Sequence, residues 1–194
     1  RNIRRDANGH LKDLLKENDP EALIPYLREI LIRVSGEHDK ESRKARAFCM
    51  YQIGVCEVQT KQYAAAIESL DLFLNAFPDD TNASSASMLL AEAYAMLKDW
   101  GGAEEYSQKL IQDKSISEFR RMSAMQLLGE ALFNQQKWAQ AVDPLRQAFE
   151  WSKEPKDRGA AALMLVTCYV KQKDFINFLK SKWNICISKN FIAT

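Results

Sequence analysis

Glycine and proline are scarce, with seven and five among 194 residues, which excludes collagen-like and low-complexity chains. With these turn formers so few and Ala, Leu, Glu, Lys and Gln so common, the bias is toward helix over sheet. There are only two histidines, His10 and His38. Neither has a cysteine or a paired carboxylate at ligand spacing, so no metal site and no catalytic centre is expected. The four cysteines (Cys49, Cys56, Cys168, Cys186) include no CxxC pair. Cys49 and Cys56 would stand about 10.5 Å apart along a helix, beyond the reach of a disulfide. They read as small apolar core residues. No apolar run approaches the roughly 20 residues a membrane span needs. The GxxxxGK[ST] loop that cradles phosphates is missing as well, and Gly101-Gly102 reads as a turn that relieves crowding. No cofactor is expected.

Charge of one sign is also lacking. The 27 basic and 26 acidic side chains leave a formal net charge of +1. The only basic clusters are Arg1, Arg4, Arg5 and then Arg43, Lys44, Arg46, too small for the basic face of a nucleic-acid binder. Paired carboxylates such as Asp79-Asp80 and Glu104-Glu105 read as a turn and a favourable first-turn charge. The chain opens on Arg1 with no signal peptide in view, as expected of a processed product.

What the sequence does contain is a repeat. Ile53-Gly54, Leu90-Ala91, Leu128-Gly129 and Leu165-Val166 recur at intervals of 37, 38 and 37. Ten residues after each first position stands an aromatic: Tyr63, Trp100, Trp138, Phe175. Three further on come Ala66, Ala103, Ala141 and then Phe178. Repeats of this length signify a stack of supersecondary units. Each unit reads as two amphipathic helices. The first helices span 41–60, 84–98, 118–136 and 157–172, and the second span 64–77, 101–113, 139–151 and 175–182. Polar turns such as Lys61-Gln62, Lys98-Asp99 and Gln136-Lys137 join them. The small residues let paired helices approach closely, and the aromatics fill the corner beside the turn as core. Trp151 and Trp183 lie outside these columns, and their exposure is left open. Ser115 and Glu118 form a candidate capping box, with Ser117 as the alternative cap.

Upstream, Asp19 is expected to cap a helix with Pro20 at its first position and a stop at Ser35-Gly36. Aligning Ala22 with Ala141 sets Pro25 on Pro144, which makes 9–35 a degenerate repeat. The organisation is then one array over 1–194, with repeats at 41–78, 84–113, 118–151 and 157–182. Residues 183–194 follow as an irregular tail.

These columns, with Pro78 closing the first full repeat, resemble the tetratricopeptide repeat. The resemblance implies an all-α fold, a right-handed superhelical solenoid of antiparallel helix pairs. It also implies a non-enzymatic scaffold or adaptor that binds a peptide or helix of a partner protein in its concave groove. The stretched repeats are similar to those of bacterial cell-envelope proteins, which implies the periplasm, whereas unpaired cysteines point to the cytoplasm. Other readings are a structural spacer or self-associating module, or an accessory domain of a larger protein.

In such arrays one face of the first helices lines the inner wall. By the family pattern that face carries Phe48, Tyr51, Val55 and Val58, then Ser85, Met88, Glu92 and Ala95. It continues with Ser123, Gln126, Glu130 and Phe133, and ends on Ala160, Leu163, Thr167 and Val170. Phe48, Tyr51, Val55, Met88, Glu92, Gln126, Glu130 and Phe133 are the candidate partner-binding residues. The wall is apolar at both ends with two carboxylates between, suiting a partner segment with apolar anchors and a basic centre. The lysine- and asparagine-rich clamp of chaperone-tail receptors is missing, since Val55, Glu92, Glu130 and Thr167 stand in its places.

Overall fold

The computed structural model describes residues 19–36 and 39–172. The chain divides into two compact units, Arg1–Leu97 and Lys98–Thr194, and each is considered by itself. Among the described residues the first unit holds α1 (Pro20–Val34), α2 (Lys40–Gln59), α3 (Tyr63–Ala76) and α4 (Ala83–Met96). The second holds α5 (Trp100–Gln112), α6 (Glu118–Asn134), α7 (Trp138–Trp151) and α8 (Pro155–Lys171). The predicted helices that fall within the described residues match these to within two residues at either end. The predicted helix at 175–182, the tail, His10, His38, Cys186, Trp183, Phe175 and Phe178 lie outside the described residues.

Local chemistry sets the ends. The Asp19 carboxylate accepts the N–H groups of Glu21 and Ala22, each at 3.1 Å, and Pro20 opens α1. Asp39 does the same for Glu41 and Ser42 at the start of α2. Such caps satisfy donors that a helix start otherwise leaves bare. At α6 the cap is Ser117, whose hydroxyl accepts from Arg120 N–H. Ser115 is not the cap; it donates to the Asp113 carboxylate at 2.6 Å, and the capping-box reading gives way to the alternative.

Each polar turn between a first and a second helix contains one residue in the left-handed region. Lys61, Lys98 and Gln136 all have φ of 61°. After α2, Gln62 N–H reaches back to Glu57 O at 2.7 Å and Lys61 N–H to Val58 O at 3.0 Å. After α6, Lys137 and Gln136 repeat the pattern onto Leu132 O and Phe133 O. This double bond is the Schellman closure, which reverses the chain within two residues.

Helix contact explains the marker columns. Ala66, Ala103 and Ala141 are completely buried. A Cβ on Gly54 would come within 2.4 Å of the Leu70 side chain. On Gly129 it would lie 2.8 Å from the Leu145 side chain and 3.2 Å from its backbone nitrogen. Glycine thus permits α2 to seat on α3 and α6 on α7. The Gly101-Gly102 pair differs: it lies inside the first turn of α5, and a Cβ on Gly101 would meet nothing closer than 3.5 Å. Crowding does not require glycine there. The aromatics Tyr63, Trp100 and Trp138 are half-buried at the first position of a second helix, and Trp138 packs against the core of the second unit.

In the first unit Leu23, Ile24 and Leu27 of α1 close over Cys49, Ile53 and Cys56 of α2. Inside this apolar contact sits Glu57, fully buried, its carboxylate receiving the Arg28 guanidinium at 2.9 Å. In the second unit Leu128 and Leu132 of α6, Leu145 of α7, and Leu165, Cys168 and Tyr169 of α8 form one cluster. Burial pushes the Cys49 and Cys168 thiols up to about 11, in keeping with their role as apolar filling.

A further column runs two turns before the Leu-Gly pair, at positions 46, 121 and 158. Arg46 donates to Val34 O and Ser35 O, at the end of the preceding helix. Arg121 donates to Asp113 O at 3.1 Å, and Arg158 lies 4.7 Å from the centre of the Phe149 ring. An arginine at the start of a first helix thus secures the end of the helix before it. The second repeat has Ala83 at this position.

Candidate functional site

The candidate wall is built from first helices that touch one another. In the first unit α2 and α4 pack together as well as against α3, and in the second α6 and α8 do the same beside α7. The repeat interval sets Tyr51 level with Met88 and Val55 level with Glu92 on neighbouring helices. Residues three and four apart on one helix share a face, so Ser85, Met88, Glu92 and Ala95 form one row, as do Ala160, Leu163, Thr167 and Val170.

These side chains differ in how much packing already uses them. Phe48 is 38% exposed, Leu163 72% and Val170 49%. Val55, Met88, Gln126 and Glu130 are half-buried. Tyr51 is half-buried with its ring 5.6 Å from that of the fully buried Phe73. Phe133 meets Trp138 edge-on at 5.3 Å and packs against the core of the second unit. Tyr51 and Phe133 therefore support the helix pairs on one side of their rings. Leu163, expected on the wall but not among the eight candidates, presents the most open apolar surface of that face. The repeat pattern gives the side that Leu163 takes, but not how much of it packing covers.

The electrostatics of the wall are acidic and sparse. Glu92 is half-buried, and burial pushes its carboxyl above the ordinary value. Glu130, at the equivalent place in the second unit, is also half-buried, and neither side chain has a hydrogen-bond or ion-pair partner among the described residues. The basic residues of the second sequence cluster are engaged elsewhere. Arg43 lies over the Phe77 ring at 5.9 Å, Lys44 pairs with Glu41 at 3.1 Å, and Arg46 binds backbone carbonyls. A cleft of about 360 Å³ beside them is lined by Lys40, Arg43 and Lys44 on one side and by Phe77, Asp79 and Asp80 on the other. Its opposed charges favour no ligand of single sign.

Glu104, expected to serve the first turn of its helix, instead joins two elements. It accepts Lys137 Nζ at 2.6 Å and Gln135 Nε2 at 2.7 Å, tying α5 to the turn after α6. Burial pushes its carboxyl up, but the hydrogen bonds and charge from Lys137 and Gln135 outweigh this and hold it below the ordinary range. Glu105 pairs with Lys109 at 2.7 Å. Trp151 is half-buried, edge-on to the exposed Phe119. Among the described residues no group of three His, Cys, Asp or Glu side chains is placed to hold a metal ion. No described helix is long and apolar enough to cross a membrane.

Residues 48–80 and 123–150 match the model of the tetratricopeptide repeat. The first stretch covers the later part of α2, all of α3 and the following turn, and the second covers the later part of α6 and nearly all of α7, one repeat in each unit. The sequence matches no curated protein. Among solved structures, MamA from Desulfovibrio magneticus RS-1 superposes with a TM-score of 0.68 at 16% identity, over 98% of this chain and 97% of that one. A Podosopora anserina putative kinesin light chain with nearly identical TPR-like repeats gives 0.65 at 15% identity, over 98% and 97%. BtubC from P. vanneervenii gives 0.65 at 17%, over 99% of this chain and 82% of that one. Likeness at these identities shows the fold alone, an all-α tetratricopeptide-like array of helix pairs.

Proposed function

We propose that this chain, which carries tetratricopeptide repeats, is a non-enzymatic scaffold that holds a peptide or helix of a partner protein against its first helices. The fold is one that mediates protein–protein interaction. The observation that carries the reading is the exposure of large apolar side chains on that face. In the first unit Phe48 is 38% exposed, and in the second Leu163 is 72% exposed. A large exposed apolar side chain on a first helix of each unit suits a protein-binding surface. Burial of Cys49, Cys56 and Cys168, with the Cys49 and Cys168 thiols pushed up to about 11, also speaks against nucleophilic chemistry at these positions.

The test is affinity capture from cells of the source organism with the wild-type chain and a Phe48→Ser/Leu163→Ser variant. Leu163 is well exposed, so its change should cost within about 0.5 kcal/mol in urea denaturation. The mostly covered Phe48 should cost about 1–2 kcal/mol, and circular dichroism checks that the variant is folded. The wild type is expected to retain a partner protein that the variant loses. Equal recovery by both would remove the wall from the account. Tyr51 and Phe133 are poorer choices, because each also packs inside its unit.

A further inference from the structure

Resting on that reading, we infer that the wall of the first unit is a receptor for a partner segment carrying one lysine or arginine side chain between apolar residues, and that Glu92 is the group that reads it. The wall row of α4 is Ser85, Met88, Glu92 and Ala95, and the row of α2 is Phe48, Tyr51, Val55 and Val58. Glu92 is the only carboxylate in these rows, and no lysine, arginine or histidine stands in either. The neighbouring helix offers Val55 at the same level, so the site has one anionic group and apolar surroundings. That combination fits a single cation carried on an aliphatic stem, which buries its methylenes while its head reaches the carboxylate.

Among the described carboxylates of the first unit, Glu92 is set apart by being half-buried without a partner. In the first unit Glu57 pairs with Arg28, Glu29 with Arg33 and Glu41 with Lys44. In the second, Glu104 has Lys137 and Gln135 and Glu105 has Lys109, while Glu130, like Glu92, has no partner among the described residues. Glu92 has none among the described residues, though it is half-buried. A desolvated carboxylate without a partner opposes folding, and the upward push on its titration is the mark of that cost. A carboxylate that opposes folding and meets no cation among the described residues is suited to one from a partner. Binding and stability are therefore expected to respond to Glu92 in opposite directions.

The experiment is selection from a phage-displayed library of random 12-residue peptides against the full chain in three forms: wild type, Glu92→Gln and Glu92→Lys. Selected peptides are resynthesised for fluorescence anisotropy. Wild type is expected to enrich peptides with a Lys or Arg flanked by apolar residues. Glu92→Gln should weaken them about tenfold or more, as expected for loss of a hydrogen bond to a charged group. Glu92→Lys should turn the preference to Asp or Glu at that position. The urea midpoint of Glu92→Gln should equal or exceed that of wild type; a lower midpoint together with lost binding would mark Glu92 as structural and overturn the inference. Enrichment of purely apolar peptides, with affinity untouched by Glu92→Gln but lost in Phe48→Ser, would overturn the inference and leave the scaffold reading standing. Failure of every form to enrich any peptide would also overturn it, and the capture experiment then decides the scaffold reading separately.

Discussion

At the level of single residues, the small side chains and the buried thiols do the same thing in different ways, which is to let two helices meet. Gly129 shows the constraint most sharply, because a methyl group there meets both the side chain and the backbone nitrogen of Leu145. A Gly129→Ala change gains about 1 kcal/mol of helix propensity. It also forces overpacking worth roughly 1–3 kcal/mol. The expected net effect is a loss of stability, read as a lower urea midpoint, and a gain would mean that α6 and α7 have slack. Gly54 meets only the Leu70 side chain, so the same change there should cost less. Both contacts were legible in the Leu-Gly column. What could not be read was Glu57, an acid inside an apolar face whose partner Arg28 lies in the preceding helix. No local pattern announces such a pair, because it depends on where another helix happens to lie.

Between elements, polar contacts at the turns supplement the apolar ones. The link from Glu104 to Lys137 and Gln135 joins α5 to the turn after α6. Because the folded-state carboxyl titrates lower than its ordinary value of 4.5, the unfolded chain takes up the proton first as pH falls. The stabilisation is therefore fully present above the ordinary value and is lost as pH drops through the lowered one. Glu104→Gln is expected to reduce stability at pH 7 and to flatten its fall between about pH 5 and pH 3. Denaturation midpoints at a series of pH values check this, and parallel curves for variant and wild type would refute it. The arginine column at 46, 121 and 158 was present in the 37- and 38-residue register but carries no meaning until the helix ends are seen beside it. Carbonyls at a helix end accept a cation well, and the long guanidinium stem reaches them from the next first helix.

For the whole molecule, the fold was legible from three columns kept in register, and helix limits followed from turns and caps. The candidate wall was legible only as a set of rows. Period alone cannot divide a first helix between the side that packs and the side that faces a partner, since both recur at three- and four-residue steps. Tyr51 and Phe133 belong partly to each, whereas Leu163 stands open. The scaffold account makes the first-helix face the place of binding and leaves exposed apolar residues on second helices, such as Leu72 at 61%, as ordinary surface.

The most direct measurement is site-specific photo-crosslinking in source cells. A benzophenone amino acid would replace Phe48 or Leu163 on first helices, and Leu72 or Arg146 on second helices. The account predicts that positions 48 and 163 attach to the same partner protein and that positions 72 and 146 do not. Equal attachment from 72 and 146, or adducts of twice the chain's own mass alone, would contradict it.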